Sequence, residues 1–425
     1  MSRHSRLSIC TSLPLTVDDA MKNRKTIPSP RDTLLPTLSR EQMARLPYPP
    51  NILPGARDVD TMYGIMRVYE FGPENGRKVV FVHGEATALP IFARIAHGLA
   101  KKGCRVLLFD LWGHGYSDAP LDVPYDTRLF TTQIHFAITS SPIPWTGSNN
   151  KHSPGISLIA FSLGASIAVD FASTYPYLTT SLILLAPIGL LQSPPAAYIP
   201  LIQQHSDHNP ITDHNPTDTD TETRTHLATA LSLTPTPAPT EPPPWHQLLR
   251  TPTEQRSINT LIPPVSHPLI SPAALTQWQF DTHHGFSHAI LSILREAPFT
   301  SATAAYDKLA RLMRGENAVL GSASCPSSPS LLHRNGVLVL LGDEDEIVPG
   351  EEAEEDLVRI FGSGDGEEGG VEVRFLRGGH GFVWPNSEVV VQEVVGWWGL
   401  RVRKDSRAVH FDAFTKGEGE ETEVV

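Results

Sequence analysis

A serine hydroxyl is a poor nucleophile at neutral pH unless a general base is held beside it on a turn sharp enough to expose Oγ. Where that turn joins a strand to a helix, small residues are needed two before and two after the serine, because the two backbones approach closely. The pattern Gly/Ala-x-Ser-x-Gly/Ala occurs four times in these 425 residues, around Ser117, Ser162, Ser166 and Ser287. Context separates them. Only Ser162, in Ala160-Phe161-Ser162-Leu163-Gly164, has a buried-type strand before it (GISLIAF) and a small-residue helix after it (LGASIAVDFAS). Ser166 lies a turn inside that helix, Ser117 in a Gly-rich, Asp-bearing turn, and Ser287 in a separate helical stretch. Ser162 is therefore the candidate nucleophile.

A nucleophilic serine needs a histidine base and an acid to orient it. Of eighteen histidines, His380 is the best placed. It follows the strand-like VEVRFL through Gly378-Gly379 and precedes Gly381-Phe382, on a loop at a strand's C-terminal end, where open α/β sheets bind ligands. The acid is expected after the preceding strand, GVLVLL, where Asp343, Glu344, Asp345 and Glu346 compete.

The positioning elements follow from the apolar pattern. From Arg57 onward short β-branched runs alternate with longer helical patterns, which predicts an α/β fold, a mostly parallel central sheet with helices on both faces. The strands are read at 65–71, 78–83, 104–110, 156–161, 180–186, 336–341 and 371–376, and the helices at 89–102, 126–138, 163–175, 303–314, 350–361 and 387–399. The interval 191–300 breaks the alternation and is read as an inserted helical cap. Its middle, 209–244, is a Thr/Pro-rich tract that cannot bury enough apolar surface to order itself. The organisation expected is a disordered N-terminal tail at 1–50, core at 51–190, cap at 191–300, core again at 301–402 and an acidic C-terminal tail at 403–425. Low-complexity inserts are placed at 140–155, 321–330 and 362–370, where a loop can lengthen at little entropic cost.

Five motifs in order carry a resemblance: His83-Gly84 after VVFV, Asp110-Leu-Trp-Gly113-His-Gly115-Tyr-Ser117, Phe161-Ser162-Leu163-Gly164, Gly342-x-x-Asp345-x-x-Val348-Pro349, and Gly379-His380-Gly381-Phe382. Over about 55–190 and 300–400 the chain resembles the α/β-hydrolase superfamily, in the subgroup of esterases, monoacylglycerol lipases and meta-cleavage-product hydrolases. The resemblance implies the α/β-hydrolase fold with an inserted helical cap and a catalytic triad of Ser162, Asp345 and His380, Asp345 being the only carboxylate in register. It also implies an oxyanion hole made by the backbone N–H groups of Leu163 and Glu85, with His83 and Ser117 shaping loops. Relatives that act on epoxides or haloalkanes are expected to carry an aspartate at the position of Ser162. Glu85 departs from the small or apolar residue that similar proteins have there, and a carboxylate beside a developing oxyanion would oppose it unless its side chain points away.

The expected activity is hydrolysis of a carboxylic ester, or a related acyl bond, of a small to medium apolar substrate through an acyl-enzyme on Ser162. No cofactor or metal is expected. The cap aromatics Tyr198, Trp278, Phe280 and Phe286 are candidates to wall an apolar pocket. Thioester or carbon–carbon bond hydrolysis, or an inactive ligand-binding protein of this fold, are the alternatives. Charge excludes other classes. The net charge is −12, and twelve acids against one arginine between Asp343 and Gly370 account for most of it, which disfavours a nucleic-acid partner. His205, His208, His214, His226, His246, His283 and His284 match no compact metal-ligand spacing. Three widely spaced cysteines suit a reducing compartment, and a cytoplasmic location is expected. The acid-free, arginine-bearing start gives only a faint transit-peptide signal. The longest apolar run, 181–191, is broken by Pro187 and too short for a spanning helix, leaving peripheral membrane contact through the cap open. Oligomeric state is not legible.

Overall fold

The computed structural model describes residues 24–146, 155–191, 193–195, 198–206, 221–231, 272–298, 302–316, 336–362 and 370–399. The predicted tails at 1–23 and 403–425, most of the tract 209–244 and the inserts at 147–154, 321–330 and 363–369 lie outside them.

Eight strands form one sheet: β1 (Ala56–Thr61), β2 (Gly64–Phe71), β3 (Arg77–Val82), β4 (Cys104–Phe109), β5 (Ile156–Phe161), β6 (Thr179–Leu185), β7 (Val337–Gly342) and β8 (Val371–Leu376). Their spatial order is β8-β7-β6-β5-β3-β4-β2-β1, parallel from β8 to β4, with β2 and β1 antiparallel at one edge. The central strands are buried on both faces, so they are apolar without alternation. All seven predicted strands are present within a residue at each end. β1 went unpredicted because its sequence, ARDVDT, belongs to an exposed edge and alternates polar residues with a single valine.

Successive residues of β5 point to opposite faces and divide the core. Leu158 and Ala160 join a cluster with α2 (Thr127–Thr139), α3 (Leu163–Thr174), α8 (Thr303–Met313) and α9 (Gly350–Phe361), while Ile159 and Phe161 join one with α1 (Ala93–Lys101) and α10 (Ser387–Trp397). Over the C-terminal ends of the strands sits the cap. Its described helices are α4 (Ile199–Ser206), α5 (Thr221–Ala230), α6 (Pro272–Thr282) and α7 (Phe286–Glu296).

Two expectations of disorder, and the extent of one insert, are corrected. Residues 24–50 are ordered and packed, not part of a tail. Thr26–Ile27 pair with Ala119–Pro120, the buried Ser29 N–H donates to Asp118 Oδ1 (3.0 Å), and Leu46 and Tyr48 enter the core. The segment has no periodicity of its own, and its order comes from contacts with a loop some ninety residues away. Within the Thr/Pro-rich tract α5 forms, burying Leu227 and Ala228 against the core beside α4, with Ala230 and Leu231 half-buried against the same cluster. At the start of the 140–155 insert Trp145 is buried and donates to Glu70 Oε1 (3.2 Å), joined there by Ser141 Oγ (2.8 Å).

Candidate functional site

The site begins at the end of β5. Ser162 occupies φ 53°, ψ −120°, a left-handed conformation that a non-glycine residue keeps only when its surroundings enforce it. The enforcing bonds are local: Ser162 N–H donates to Leu185 O of β6 (2.9 Å), and its carbonyl accepts from Ala165 N–H (2.9 Å) as α3 starts. Gly164 is needed because a Cβ there would lie 2.2 Å from Val82 O. Among the described residues, three non-glycines have left-handed φ: Ser162, Ala86 (57°) and Ala186 (44°). Each lies just beyond the C-terminal end of one of three adjacent strands, β5, β3 and β6, so backbone strain is concentrated at one spot on the sheet's rim.

His380 and Asp345 arrive on the turns after β8 and β7. His380 Nε2 accepts from Ser162 Oγ at 3.0 Å, and Nδ1–H donates to Asp345 Oδ2 at 2.9 Å. Asp345 Oδ1 accepts from the N–H groups of Ile347 and Val348 (both 2.9 Å), which orients the carboxyl toward the imidazole. The Asp345 side chain is fully buried, whereas that of His380 is 18% exposed, leaving its edge accessible. Phe161 packs on the imidazole at 5.0 Å. The neighbouring Asp343 instead accepts from Gly378 N–H (2.7 Å) and braces the histidine loop. The other serines of the same pattern are engaged elsewhere. Ser117 Oγ bonds Asp110 O and Arg67 N–H, Ser166 Oγ donates to Ile188 O, and Ser287 is buried in α7.

Leu163 opens α3 and its N–H therefore precedes the helix's own hydrogen-bond ladder. Across from it, a Cβ on Gly84 would come 3.0 Å from Ser162 Cβ, so Glu85 follows immediately on the backbone that skirts the serine. His83 holds this turn: Nδ1–H donates to Gly84 O (2.8 Å), and Nε2 accepts from Leu111 N–H (2.9 Å). Burial pushes this histidine down to about 4, so it stays neutral.

Glu85 does not present a carboxylate to the serine's surroundings at neutral pH. Its Oε1 is closed to solvent, Tyr198 hydrogen-bonds the carboxyl, and burial outweighs that bond to push the group up to about 8. It is therefore chiefly a neutral acid at pH 7.

Two residues unanticipated from sequence hold the Glu85–Ala86 turn from above. Thr276 Oγ1 of α6 donates to Ala86 O (2.9 Å), and Gln279 Nε2 donates to Ala86 O (3.1 Å) and Thr87 O (3.4 Å). Gln279 Oε1 also accepts from Gly115 N–H (2.8 Å), so one fully buried amide joins the cap to two core loops. The only sequence signal for it was a lone amide between Trp278 and Phe280.

Of the four aromatics expected to wall a pocket, Tyr198 lies against Glu85. The expectation is corrected for the other three. Trp278 is fully buried against Tyr48 and Tyr116 (5.7 and 5.5 Å), Phe286 packs edge-on to His114 (5.3 Å), and Phe280 is buried in the main cluster. Such large apolar side chains gain most by sealing the cap onto the core. A cavity of about 320 Å³ lies instead between Pro187, Leu190, Leu191 and Pro194 on one wall and Ile347, Val348 and Leu357 on the other; neither Ser162 nor His380 lines it.

His283 also joins cap to core, with Nε2–H donating to Ser117 O (2.8 Å) and Nδ1 accepting from Gly285 N–H (3.1 Å). His226 and His284 are exposed, and the side chains of His205, His208, His214 and His246 lie outside the described residues. Among the described residues no group of three or more His, Cys, Asp and Glu side chains could hold a metal ion, and no helix is long and apolar enough to cross a membrane.

Comparison with known proteins bears on the fold. A thermophilic esterase from Thermogutta terrifontis is similar at 17% identity and a TM-score of 0.51, over 82% of this chain and 99% of that one. An esterase from Exiguobacterium antarcticum is similar at 16% and 0.49, over 81% and 99%. A haloalkane dehalogenase loop variant from Bradyrhizobium elkanii is similar at 18% and 0.49, over 81% and 97%. No curated protein sequence matches the chain. The model of the alpha/beta hydrolase fold family matches residues 78–385, most of the chain and every strand from β4 to β8 together with Ser162, Asp345 and His380, and on that match the chain belongs to the α/β-hydrolase fold family.

Proposed function

We propose that this protein is a serine hydrolase that cleaves a carboxylic ester, or a closely related acyl bond, through an acyl-enzyme on Ser162. The observation that carries the reading is the continuous hydrogen-bonded line from Ser162 Oγ through both nitrogens of His380 to Asp345, at 3.0 and 2.9 Å. In the first step Oγ attacks the substrate carbonyl carbon while His380 Nε2 takes the hydroxyl proton. The oxyanion that forms is met by the N–H groups of Leu163 and Glu85, and Asp345 stabilises the imidazolium. Collapse expels the alcohol, which receives the proton from His380. Water then attacks the acyl carbonyl, giving its proton to His380, and the carboxylic acid leaves as Ser162 recovers its proton. This chemistry needs no cofactor.

The reading of an inactive binding protein drew on a Glu85 carboxylate opposing the oxyanion, and a neutral Glu85 acid removes that objection below about pH 8. The substrate class is a small to medium ester. Thioesters are cleaved by the same steps and remain within the proposal.

A fluorophosphonate probe tests the nucleophile. Labelling of the folded protein that disappears in Ser162→Ala supports it, and folded wild-type protein that resists the probe sinks it. A p-nitrophenyl ester series of increasing acyl length then reads activity and pocket size together, with turnover expected to peak at short to medium chains.

A further inference from the structure

The loop that follows β3 is pinned from outside at Ala86 and at Leu89. Ala86 O accepts from Thr276 and Gln279 of α6. Leu89 N–H donates to Asp110 Oδ1 (3.2 Å) where a short helical turn begins. Both pins lead to one side chain. The Tyr48 hydroxyl donates to the other oxygen of the same carboxyl, Asp110 Oδ2 (2.9 Å), and the Tyr48 ring packs edge-on to Trp278 of α6 (5.7 Å).

We propose that Tyr48 is a positioning residue of the site: from the segment ahead of the first core strand, one side chain sets both supports of the loop whose Glu85 N–H is to meet the oxyanion. The catalytic consequence rests on the Ser162 reading. The linkage of Tyr48 to the loop rests on its own contacts.

Tyr48 is built to transmit position. It is fully buried, its ring lies 4.5 Å from that of Tyr116, and the Tyr116 hydroxyl donates to Tyr48 O. Leu46, Ile52 and Leu53 lie in the same apolar cluster as Leu275 and Trp278, so α6 is seated on this segment. A close-packed contact of that kind passes a displacement on.

The helix carries it to Ala86. Residues three apart on a helix share a row, so Leu275 and Trp278 form one row and Thr276 and Gln279 the adjacent one. The first row rests on the Tyr48 cluster, and the second donates to Ala86 O. Any rotation of α6 that follows loss of the Tyr48 ring therefore moves both donors, and hydrogen bonds weaken steeply with angle. The hydroxyl acts through the second pin. Asp110 is fully buried, and besides Leu89 N–H on Oδ1 it receives Tyr48 and Tyr116 N–H (3.0 Å) on Oδ2. A purely packing role for Tyr48 would be served equally by phenylalanine, whereas the line through Asp110 to Leu89 would not.

Hydrogen exchange reads the linkage without chemistry. Tyr48→Phe keeps the ring and removes the hydroxyl, so amides of 84–92 are expected to exchange about tenfold faster while those of 272–282 stay as in wild type. Tyr48→Leu, which also gives up the ring, is expected to speed both. Tyr125→Phe is the control, because it too deletes a buried hydroxyl, one that donates to Pro120 O (3.1 Å), and should leave both segments unchanged. Turnover of a short p-nitrophenyl ester is then expected to show kcat about three to tenfold lower in Tyr48→Phe with KM unchanged. The loss in Tyr48→Leu is expected to be smaller on top of Gln279→Leu than on its own, since both act through Ala86 O. Tyr48→Phe matching Tyr125→Phe in exchange or in kcat, a loss confined to KM, or an equal loss from Tyr48→Leu in both backgrounds overturns the proposal. A protein that shows the exchange pattern but resists the fluorophosphonate probe keeps the linkage and rejects the Ser162 reading.

Discussion

On the side of the proposed nucleophile, Ser162, Asp345 and His380 each stand on a turn that directly continues a core strand, β5, β7 or β8, and the bonds that orient Ser162 and Asp345 are short-range or made to adjacent strands. On the side proposed to meet the oxyanion, Glu85 and Ala86 follow β3, but Ala86 O is held by Thr276 and Gln279, 190 and 193 residues away in sequence. One side is carried by the sheet. The other is shared with the cap. Damage to the sheet side should therefore remove chemistry outright, and damage to the cap side should mis-set it.

The largest expected effect is on the sheet side. Ser162→Ala should lower kcat by on the order of 10⁴ to 10⁶-fold and Asp345→Asn by about 10⁴-fold, read by ester turnover with circular dichroism to show that the fold is kept. Asp343→Asn should cost at most about tenfold, since that carboxyl braces Gly378 and does not touch the imidazole. If Asp343→Asn matches the loss in Asp345→Asn, the acid has been assigned to the wrong residue.

Next comes the cap side. Gln279→Leu strands Gly115 N–H, a buried group whose loss of partner costs about 1–3 kcal/mol, and leaves Ala86 O to Thr276 alone. We expect lower stability together with a kcat reduced about 10 to 100-fold and KM changed little, because the turn proposed to present the Glu85 N–H loses one of the two side chains that anchor it. Thr276→Val should do less, as Gln279 still holds Ala86 O. A KM defect with unchanged kcat in Gln279→Leu would show that the cap binds substrate without positioning the oxyanion turn.

A smaller effect is expected from pH. With Glu85 pushed up to about 8, raising the pH through 8 converts a neutral acid into a carboxylate beside the developing oxyanion, so kcat/KM should fall severalfold on the alkaline side. Tyr198 is the titratable group hydrogen-bonded to this carboxyl, and burial beside Glu85 raises it well above its usual range, so it stays neutral across this window. Glu85→Gln should flatten that limb. A wild-type profile level through pH 9 would count against a titrating Glu85.

The smallest effect concerns stability in acid. His83, His283 and His288 are each pushed by burial from 6.5 to about 4, so between these values the unfolded chain binds more protons than the folded one. Their contribution is fully present above 6.5 and is lost as pH falls toward 4. His83 braces the Gly84–Glu85 turn, and the other two lie in the cap or at its junction with the core, so the thermal midpoint should drop by a few degrees from pH 7 to pH 5, with cap-side amides losing exchange protection first.

How much could be read in advance differs between the two sides for the same reason. Ser162 has three decoys, yet GISLIAF before it and LGASIAVDFAS after it carry their own structural signal, and the buried strands of an α/β sheet are apolar throughout. The Asp345 and His380 loops likewise follow strands that are legible as runs. Gln279 has no such signature, because an amide on a helix looks like a surface residue until the helix is docked. Trp278, Phe280 and Phe286 were legible as apolar but not as to which way they face, and they turned out to seal the cap. Residues 24–50 misled for a related reason, since Tyr48 is ordered by its hydroxyl bond to Asp110 and by Trp278, not by any pattern near it.

What the sequence by itself determined is what local physics encodes: the strands, the helices that cover them and the turns that must carry a serine, an acid and a histidine in that order. Only the tertiary structure decided the protonation of Glu85, the left-handed Ala86 and the anchoring of its turn by Thr276 and Gln279. Those depend on burial and on contacts between residues far apart in the chain, and neither desolvation nor a long-range hydrogen bond has a period that can be read along it.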